Sequence, residues 1–382
     1  MYISVACLLF GLMAGVISPA NGATTNANQA PNLLINGDRI RIIKERLAAD
    51  DPLISSAYRQ LIADANRYLR QSPDPITGDL KIPGFYQQPE AQRKITSRIK
   101  HDAKAANCLA LAFALSADEK YGLKAKEFLF AWVRNLGRPR DGGSLLDIFT
   151  LMHRGDTPLV ITYTFPNFMY AFDILDGLGR LSQEESAAFH KWLKVYVAYC
   201  TGECFYKNNH HNWQSLFLMC AGHVLRDPGL FDRGLRYYQN GFRVQILRDG
   251  ALPLELWRKE KCATYSLMAL EAMLQGACIA SRHGHPEILD LRSKEKGSLK
   301  DAVDCLVSFL DAPDTWQVNK RKSHTGFSRQ NRPDDPSDWG WALEIPSSWW
   351  QDDKYLKYMT KRPYGEAVRA YTLTYSTLLF SE

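Results

Sequence analysis

The sequence predicts an all-α protein, and three observations carry that expectation. Apolar residues recur at three- and four-residue spacing along the 382 residues, as in Leu109, Ala112 and Phe113, or Leu230, Leu235, Tyr238, Phe242 and Ile246, and this spacing marks helix faces. The strict alternation of a half-buried strand is scarce. Helix ends are also legible: Ser182 with Glu185 three residues on forms a capping box, and Asp227-Pro228-Gly229 interrupts two apolar-periodic runs.

Taken in order, helices are expected near 37–50, 53–70, 94–117, 119–135, 159–178, 182–201, 211–225, 229–247, 261–283, 298–311 and 353–372. Many helices of similar length with short connections imply successive antiparallel hairpins, which close as a bundle or curve into a toroid. No internal repeat is evident. Two longer irregular segments interrupt the pattern, Ser72 to Gln92 with four prolines and two glycines, and Asp311 to Trp350, rich in Pro, Asp and Trp. Their aromatics, Phe85 and Tyr86 in the first and Trp316, Trp339, Trp341, Trp349 and Trp350 in the second, either line a sugar-binding cleft or pin the loops to the core.

The beginning of the chain reads as a leader. Val5 to Val16 is an apolar run too short to span a bilayer, followed by the small residues Ala20, Gly22 and Ala23, so residues 1–23 are expected to be a signal peptide and 24–382 one exported domain, periplasmic or secreted. No Lys or Arg precedes the run, which departs from the usual leader. Later apolar segments are interrupted by charge, so no membrane insertion of the mature chain is expected. The net charge of +6 favours a polyanionic partner, yet Lys and Arg are interspersed with acids and form no dense basic tract of the kind expected of a nucleic-acid binder, and an acidic sugar polymer fits at least as well. Of eight cysteines Cys7 lies in the leader; the remaining seven cannot all pair, and most sit in apolar helical runs as buried thiols. Cys200 and Cys204 lie near His210 and His211 without a CxxC or HExxH spacing, so no metal and no cofactor are expected. A monomer is the expected state.

Two segments concentrate polar side chains inside apolar helical sequence. The first is Lys207-Asn208-Asn209-His210-His211-Asn212-Trp213, where one Asn can serve as an N-cap and the others need a further reason. Paired histidines suit proton transfer. The second is Leu252-Pro253-Leu254-Glu255-Leu256-Trp257-Arg258 with Tyr265 seven residues after the arginine, two turns apart on one face if the helix is continuous.

Together, Asn208 to Trp213 (NNHxxW) and Leu252 to Arg258 with Tyr265 (LPxELxR and a later Tyr) resemble the mannuronate-type alginate lyases in motif, order and separation. The resemblance is strongest from about Asn208 to Leu270. It implies an incomplete α/α toroid with a deep cleft, catalytic Asn209, His210, Arg258 and Tyr265, and a lid loop for which Ser72 to Gln92 is the candidate. The family commonly has Ser-Tyr or Arg-Tyr where this chain has His211-Asn212, and related helical lyases on other uronans such as glucuronan share a similar residue set. Asn208, His211, Trp213, Tyr86, His153, Arg154, Glu255 and Arg329, with His324, are the candidate substrate contacts.

These side chains suit β-elimination. The C5 proton of a uronate is barely acidic while the neighbouring carboxylate is ionised, so Arg258 and the Asn209 amide are expected to neutralise that charge where the enolate grows. Tyr265, with Arg258 lowering its pKa, can take the proton and return it to the leaving oxygen; His210 either assists on the carboxylate or serves as base for the opposite epimer. A glycoside hydrolase would instead need paired carboxylates; Glu255 and Asp156 are candidates, but nothing in their spacing marks them as a pair. A non-catalytic glycan-binding protein would leave the two polar segments unexplained.

Overall fold

A computed structural model describes residues 30–140, 155–258, 261–312 and 334–382. The helices are α1 (Gly37–Ala48), α2 (Pro52–Leu69), α3 (Pro89–Ser116), α4 (Glu119–Asn135), α5 (Thr157–Gly177), α6 (Gln183–Cys200), α7 (Asn209–Val224), α8 (Pro228–Gln245), the single turn α9 (Pro253–Leu256), α10 (Cys262–Arg282), α11 (Leu299–Asp311), α12 (Glu344–Trp350) and α13 (Ser376–Phe380). Strands β1 (Gly78–Leu80) and β2 (Leu136–Pro139) form one parallel pair.

The helices form two layers. The second half of α3, with α5, α7 and α10, is apolar nearly all round and buried, so these helices make the inner wall. Helices α1, α2, α4, α8 and α11 bury one face and show polar residues on the other, as an outer layer should. Successive hairpins α3–α4 and α7–α8 pack closely, and the inner helices touch in the order α3, α5, α7, α10. The result is the incomplete α/α toroid. Helix α10 has the length and composition to cross a membrane, but most of it is buried at the centre of the wall.

Local signals explain the ends. Ser182 and Glu185 exchange both bonds of the capping box that starts α6. Asp227 caps α8 by accepting from Leu230 N, with Pro228 in the first turn where its missing N–H costs nothing. Helix α3 starts at Pro89, earlier than its apolar periodicity implies.

Three expectations need correction. Residues 353–372 do not form a helix: a 3-10 turn covers Asp353–Tyr358, Pro363 removes a donor, and the chain then runs irregularly to α13. What replaces the helix is a polar anchor, the buried carboxylate of Glu271 on α10, which accepts from the backbone nitrogens of Tyr371 (3.0 Å), Thr372 (2.7 Å) and Leu373 (3.0 Å). The segment read as loop up to Trp350 is ordered from Asp334 as a 3-10 turn (Pro336–Leu343) and α12, with Trp339 and Trp341 buried in the core, so these two pin the segment; Trp316 lies outside the described residues. Finally, Arg258 and Tyr265 do not share a continuous helix, because Arg258 follows α9 in a turn ahead of α10.

The first irregular segment is ordered by named bonds. Asp74 N and the Trp132 indole both donate to the buried Asp102 carboxylate at 2.7 Å, β1 pairs with β2, Ile82 N donates to Thr157 Oγ1 (2.9 Å), and Phe85 N donates to Asp156 Oδ2 (2.9 Å). These contacts carry Phe85 and Tyr86 to the mouth of the cleft.

Candidate active site

One cleft of about 830 Å³ opens between the tip of the 72–92 segment, α3, the start of α7, the turn after α9 and the first turns of α10. His210, Arg258, Tyr265, Tyr86 and Asn208 line it. The guanidinium carbon of Arg258 sits 4.5 Å from the centre of the Tyr265 ring, and the Tyr265 hydroxyl lies 3.3 Å from that of Tyr86. Two segments distant in sequence thus converge on one phenol.

The polar run at the start of α7 fans out, because consecutive helical residues point about 100° apart. Asn208 is the N-cap, accepting from His210 N at 3.0 Å while also lining the cleft. Asn209 is fully buried: its backbone N donates to Glu255 Oε1 (2.6 Å) and its Nδ2 to both Glu255 oxygens (2.9 and 3.0 Å). His210 faces the cleft. His211 turns away under α8, its Nε2 3.2 Å from Glu203 Oε1, and Asn212 exchanges two 2.8 Å amide bonds with Gln245. Trp213 is fully buried behind the wall, its ring 6.2 Å from Tyr163 and 5.6 Å from Tyr371.

Three expected substrate contacts are therefore relocated. His211 and Trp213 are fully buried and Glu255 is 1% exposed, and none of the three lines the cleft. His211 ties α7 to the preceding loop, Trp213 backs the cleft tyrosines, and Glu255 holds Asn209. His153, Arg154, Arg329 and His324 lie outside the described residues. The carboxylate pair a hydrolase would need is not presented: Asp156 lines the cleft, its carboxyl raised by burial and bonded to Phe85 N, while Glu255 is engaged behind the wall.

Sequence reasoning missed Lys100, Tyr163 and Tyr371. The Lys100 ammonium lies in the cleft 4.0 Å from the Tyr371 ring centre and 5.7 Å from that of Tyr163. Its neighbours on α3 include Arg98, His101 and Asp102, with Lys104 one turn on, so no local pattern set this lysine apart. Arg93 and Lys261, stacked near Phe85, add two more cations at the same opening, so the described cleft carries Arg93, Lys100, Arg258 and Lys261 against Asp156.

Burial sets the resting charges. His210 is pushed down to about 3 by burial and by Arg258, so its imidazole is neutral. Lys100 falls to about 8 through burial and the repulsion of Lys104, and remains a cation at neutral pH. Tyr265 moves above its ordinary value, because burial and the Tyr86 hydroxyl outweigh the opposing pull of Arg258. Tyr265 is thus a neutral phenol at rest, against the expectation that Arg258 would leave it readily ionised. Among the described residues no group of three or more His, Cys, Asp or Glu converges as a metal site.

Comparison with known proteins agrees with this architecture. Over 115 residues the chain is 30% identical to an alginate lyase of Cobetia marina and 29% to one of Pseudomonas fluorescens, stretches that make up 30% of this chain and span 29% and 30% of those curated relatives. The fold matches the crystal structure of an alginate lyase from Bacteroides ovatus with a TM-score of 0.72 at 20% identity, covering 92% of this chain and 99% of that one. Alginate lyase A1-III from Sphingomonas species A1 matches with a TM-score of 0.69 at 17% identity, covering 93% and 97%. A model of the alginate lyase family matches residues 55–316, more than half of the chain, and the chain belongs to that family.

Proposed function

We propose that the protein is a polysaccharide lyase that cleaves a uronate polymer, alginate rich in mannuronate foremost, by β-elimination. The observation that carries this reading is the meeting of the Tyr265 hydroxyl, the Arg258 guanidinium and the His210 imidazole on one cationic cleft. The relatives named alginate lyase, and an A1-III structure complexed with tetrasaccharide that shares the fold at a TM-score of 0.68, support it.

In the proposed reaction the C5–H bond breaks, its electron pair becomes the C4–C5 double bond, and the C4–oxygen bond of the glycosidic link breaks. Arg258 stabilises negative charge on the sugar carboxylate as the enolate develops. Tyr265 first releases its own proton to solvent, supported by Arg258, then takes the C5 proton and passes it to the departing oxygen, and the phenolate left behind is reprotonated from solvent. His210, neutral at rest, hydrogen-bonds the carboxylate on the same side. Lys100 attracts a carboxylate of a neighbouring sugar. The His211-Asn212 departure from the family pattern does not alter this chemistry, because both side chains point away from the cleft.

The test is a panel of polymannuronate, polyguluronate and glucuronan, followed by the ultraviolet absorbance of the new double bond. Wild type is expected to form unsaturated ends fastest from polymannuronate, and Tyr265→Phe to remain folded while losing about three orders of magnitude in turnover. A Tyr265→Phe variant with full activity, or products lacking the double bond, refutes the proposal. Export belongs to the same reading, with processing after Ala23 checked by mass spectrometry of the mature N-terminus, and so does a monomeric state, checked by light scattering.

A further inference from the structure

Exposed apolar side chains are unevenly shared between the cleft and the rest of the surface. Among the described residues the exposed Phe, Tyr and Trp side chains are Tyr86, Phe205 and Trp257, and each lines the cleft or stands next in sequence to a residue that does. The exposed aliphatics, Leu123, Leu178, Val244 and Leu356, do neither. Phe205 is the plainest case. It is 66% exposed, while every other phenylalanine among the described residues is buried or half-buried. Its ring stands edge-to-face with that of Tyr206, the centroids 5.4 Å apart and the planes at 89°, and Tyr206 lines the cleft.

The loop that carries this pair is fixed from behind. The fully buried Gln214 of α7 donates to Cys200 O at 2.8 Å and to Gly202 O, and it accepts from Cys204 N at 2.9 Å. Asn208 N donates to Tyr206 O at 2.9 Å, and Lys207 Nζ donates to Cys204 O at 3.0 Å. The backbone on both sides of Phe205 is therefore held while its ring stays in water. What separates Phe205 from an ordinary exposed apolar residue is this fixed place beside the cleft.

We propose that Phe205, supported by Tyr206, is a stacking subsite for one ring of the uronate polymer, beyond the ring on which Tyr265 and Arg258 act, and that it selects sugars with an all-hydrogen face. This inference deepens the uronate reading above and rests on it. The occupant follows from continuity: Tyr206 lines the same cleft as Arg93, Lys100, Arg258 and Lys261, so a polyanion drawn in by those cations runs alongside the pair. Ring chemistry then decides which uronate fits. β-Mannuronate in its usual chair carries axial hydrogens on C1, C3 and C5 of one face, which can lie flat on an aromatic ring while the carboxylate at the edge stays in water. β-Glucuronate shares that face. α-Guluronate in its own chair has an axial oxygen on each face, which lifts the sugar off an aromatic surface. Stacking of this kind involves no proton transfer, so the pair adds binding and register and leaves the elimination to the groups inside the cleft.

The experiment compares Phe205→Ala, Phe205→Leu and Phe205→Tyr in the full-length chain. KM and kcat on polymannuronate are measured, together with the inhibition constant of polyguluronate in competition with it. Phe205→Ala should raise KM for polymannuronate about three- to tenfold, with kcat changing less. Phe205→Leu, apolar but without a flat face, should match Phe205→Ala, and Phe205→Tyr should restore the wild-type KM. The inhibition constant of polyguluronate should move by less than about twofold in all three. An unchanged KM in Phe205→Ala, a wild-type KM in Phe205→Leu, a KM that Phe205→Tyr does not restore, or an equal weakening of polyguluronate overturns the stacking subsite and leaves the uronate reading standing. A wild-type protein that forms no unsaturated product from any polyuronate overturns both.

Discussion

Replacing Glu271 by Gln tests how the C-terminal segment is held against the cleft. The carboxylate accepts from three backbone nitrogens, Thr372 and Leu373 on Oε1 and Tyr371 on Oε2. Gln keeps the volume and one acceptor oxygen, which can retain the Thr372 and Leu373 bonds; its NH2 then meets the Tyr371 N–H, donor against donor. Leaving that amide unsatisfied costs about 1–3 kcal/mol, and the two surviving bonds weaken by roughly 1 kcal/mol each when their acceptor loses its charge. Removing a buried charge offsets part of this, because burial holds the Glu271 carboxyl above its ordinary range. The net expectation is a loss of about 2–4 kcal/mol, a large share of the roughly 5–15 kcal/mol of a typical domain. Urea unfolding at pH 7 should show a lower midpoint with an unchanged slope. Because Tyr371 lines the cleft against Lys100, KM should rise about three- to tenfold with kcat changing less. A loss below about 1 kcal/mol together with unchanged KM would refute the idea that this carboxylate fixes the segment.

Other outcomes follow from the same geometry. Lys100 is charged below about pH 8 and neutral above it, so kcat/KM on polymannuronate should rise from acid pH as the Tyr265 phenolate becomes more populated, then fall above about 8; Lys100→Met should lower kcat/KM through KM and abolish that fall, and a wild-type profile flat across this range would contradict both assignments. Trp213→Ala should cost about 3–5 kcal/mol in thermal or urea unfolding, whereas Arg258→Ala should reduce turnover by about two to three orders of magnitude with stability changed by less than about 1 kcal/mol, so the reverse pattern would exchange their roles. Tyr86→Phe removes the hydroxyl 3.3 Å from that of Tyr265, one contributor to its raised pKa, and should move the rising limb of the pH profile toward lower pH; an unmoved limb excludes that coupling.

Much of the architecture was legible in the sequence because apolar spacing, capping box and proline breaks act locally. Residues 353–372 show the limit: their helical spacing is real, but Pro363 and the pull of Glu271 on three consecutive amides prevail, and Glu271 is about a hundred residues away in sequence. The same divide runs through the site. Of the expected catalytic set, His210, Arg258 and Tyr265 could be picked out because they belong to or follow compact polar clusters, and they line one cleft together with the expected contacts Asn208 and Tyr86. Asn209, expected among the catalytic groups, and His211, Trp213 and Glu255 belong to the same clusters yet do not line the cleft, since helical rotation sends neighbouring residues to different sides. Lys100 and Tyr371 escaped notice because their role depends on segments that only folding brings together.

The cysteines give the molecule a built-in gauge of its own opening. Among the described residues no disulfide is formed; Cys108, Cys200, Cys204, Cys220, Cys262 and Cys278 are buried across α3, the end of α6, the loop after it, α7 and both ends of α10, while Cys305 is half-exposed. Burial raises the sulfhydryl of Cys204 to about 11 and that of Cys278 to about 12, which leaves almost no nucleophilic sulfur while the wall stays shut. An alkylating reagent should therefore find Cys305 at once and the other six only as each stretch of the inner ring loosens. The order in which they are modified would map, position by position, which part of the ring gives way first.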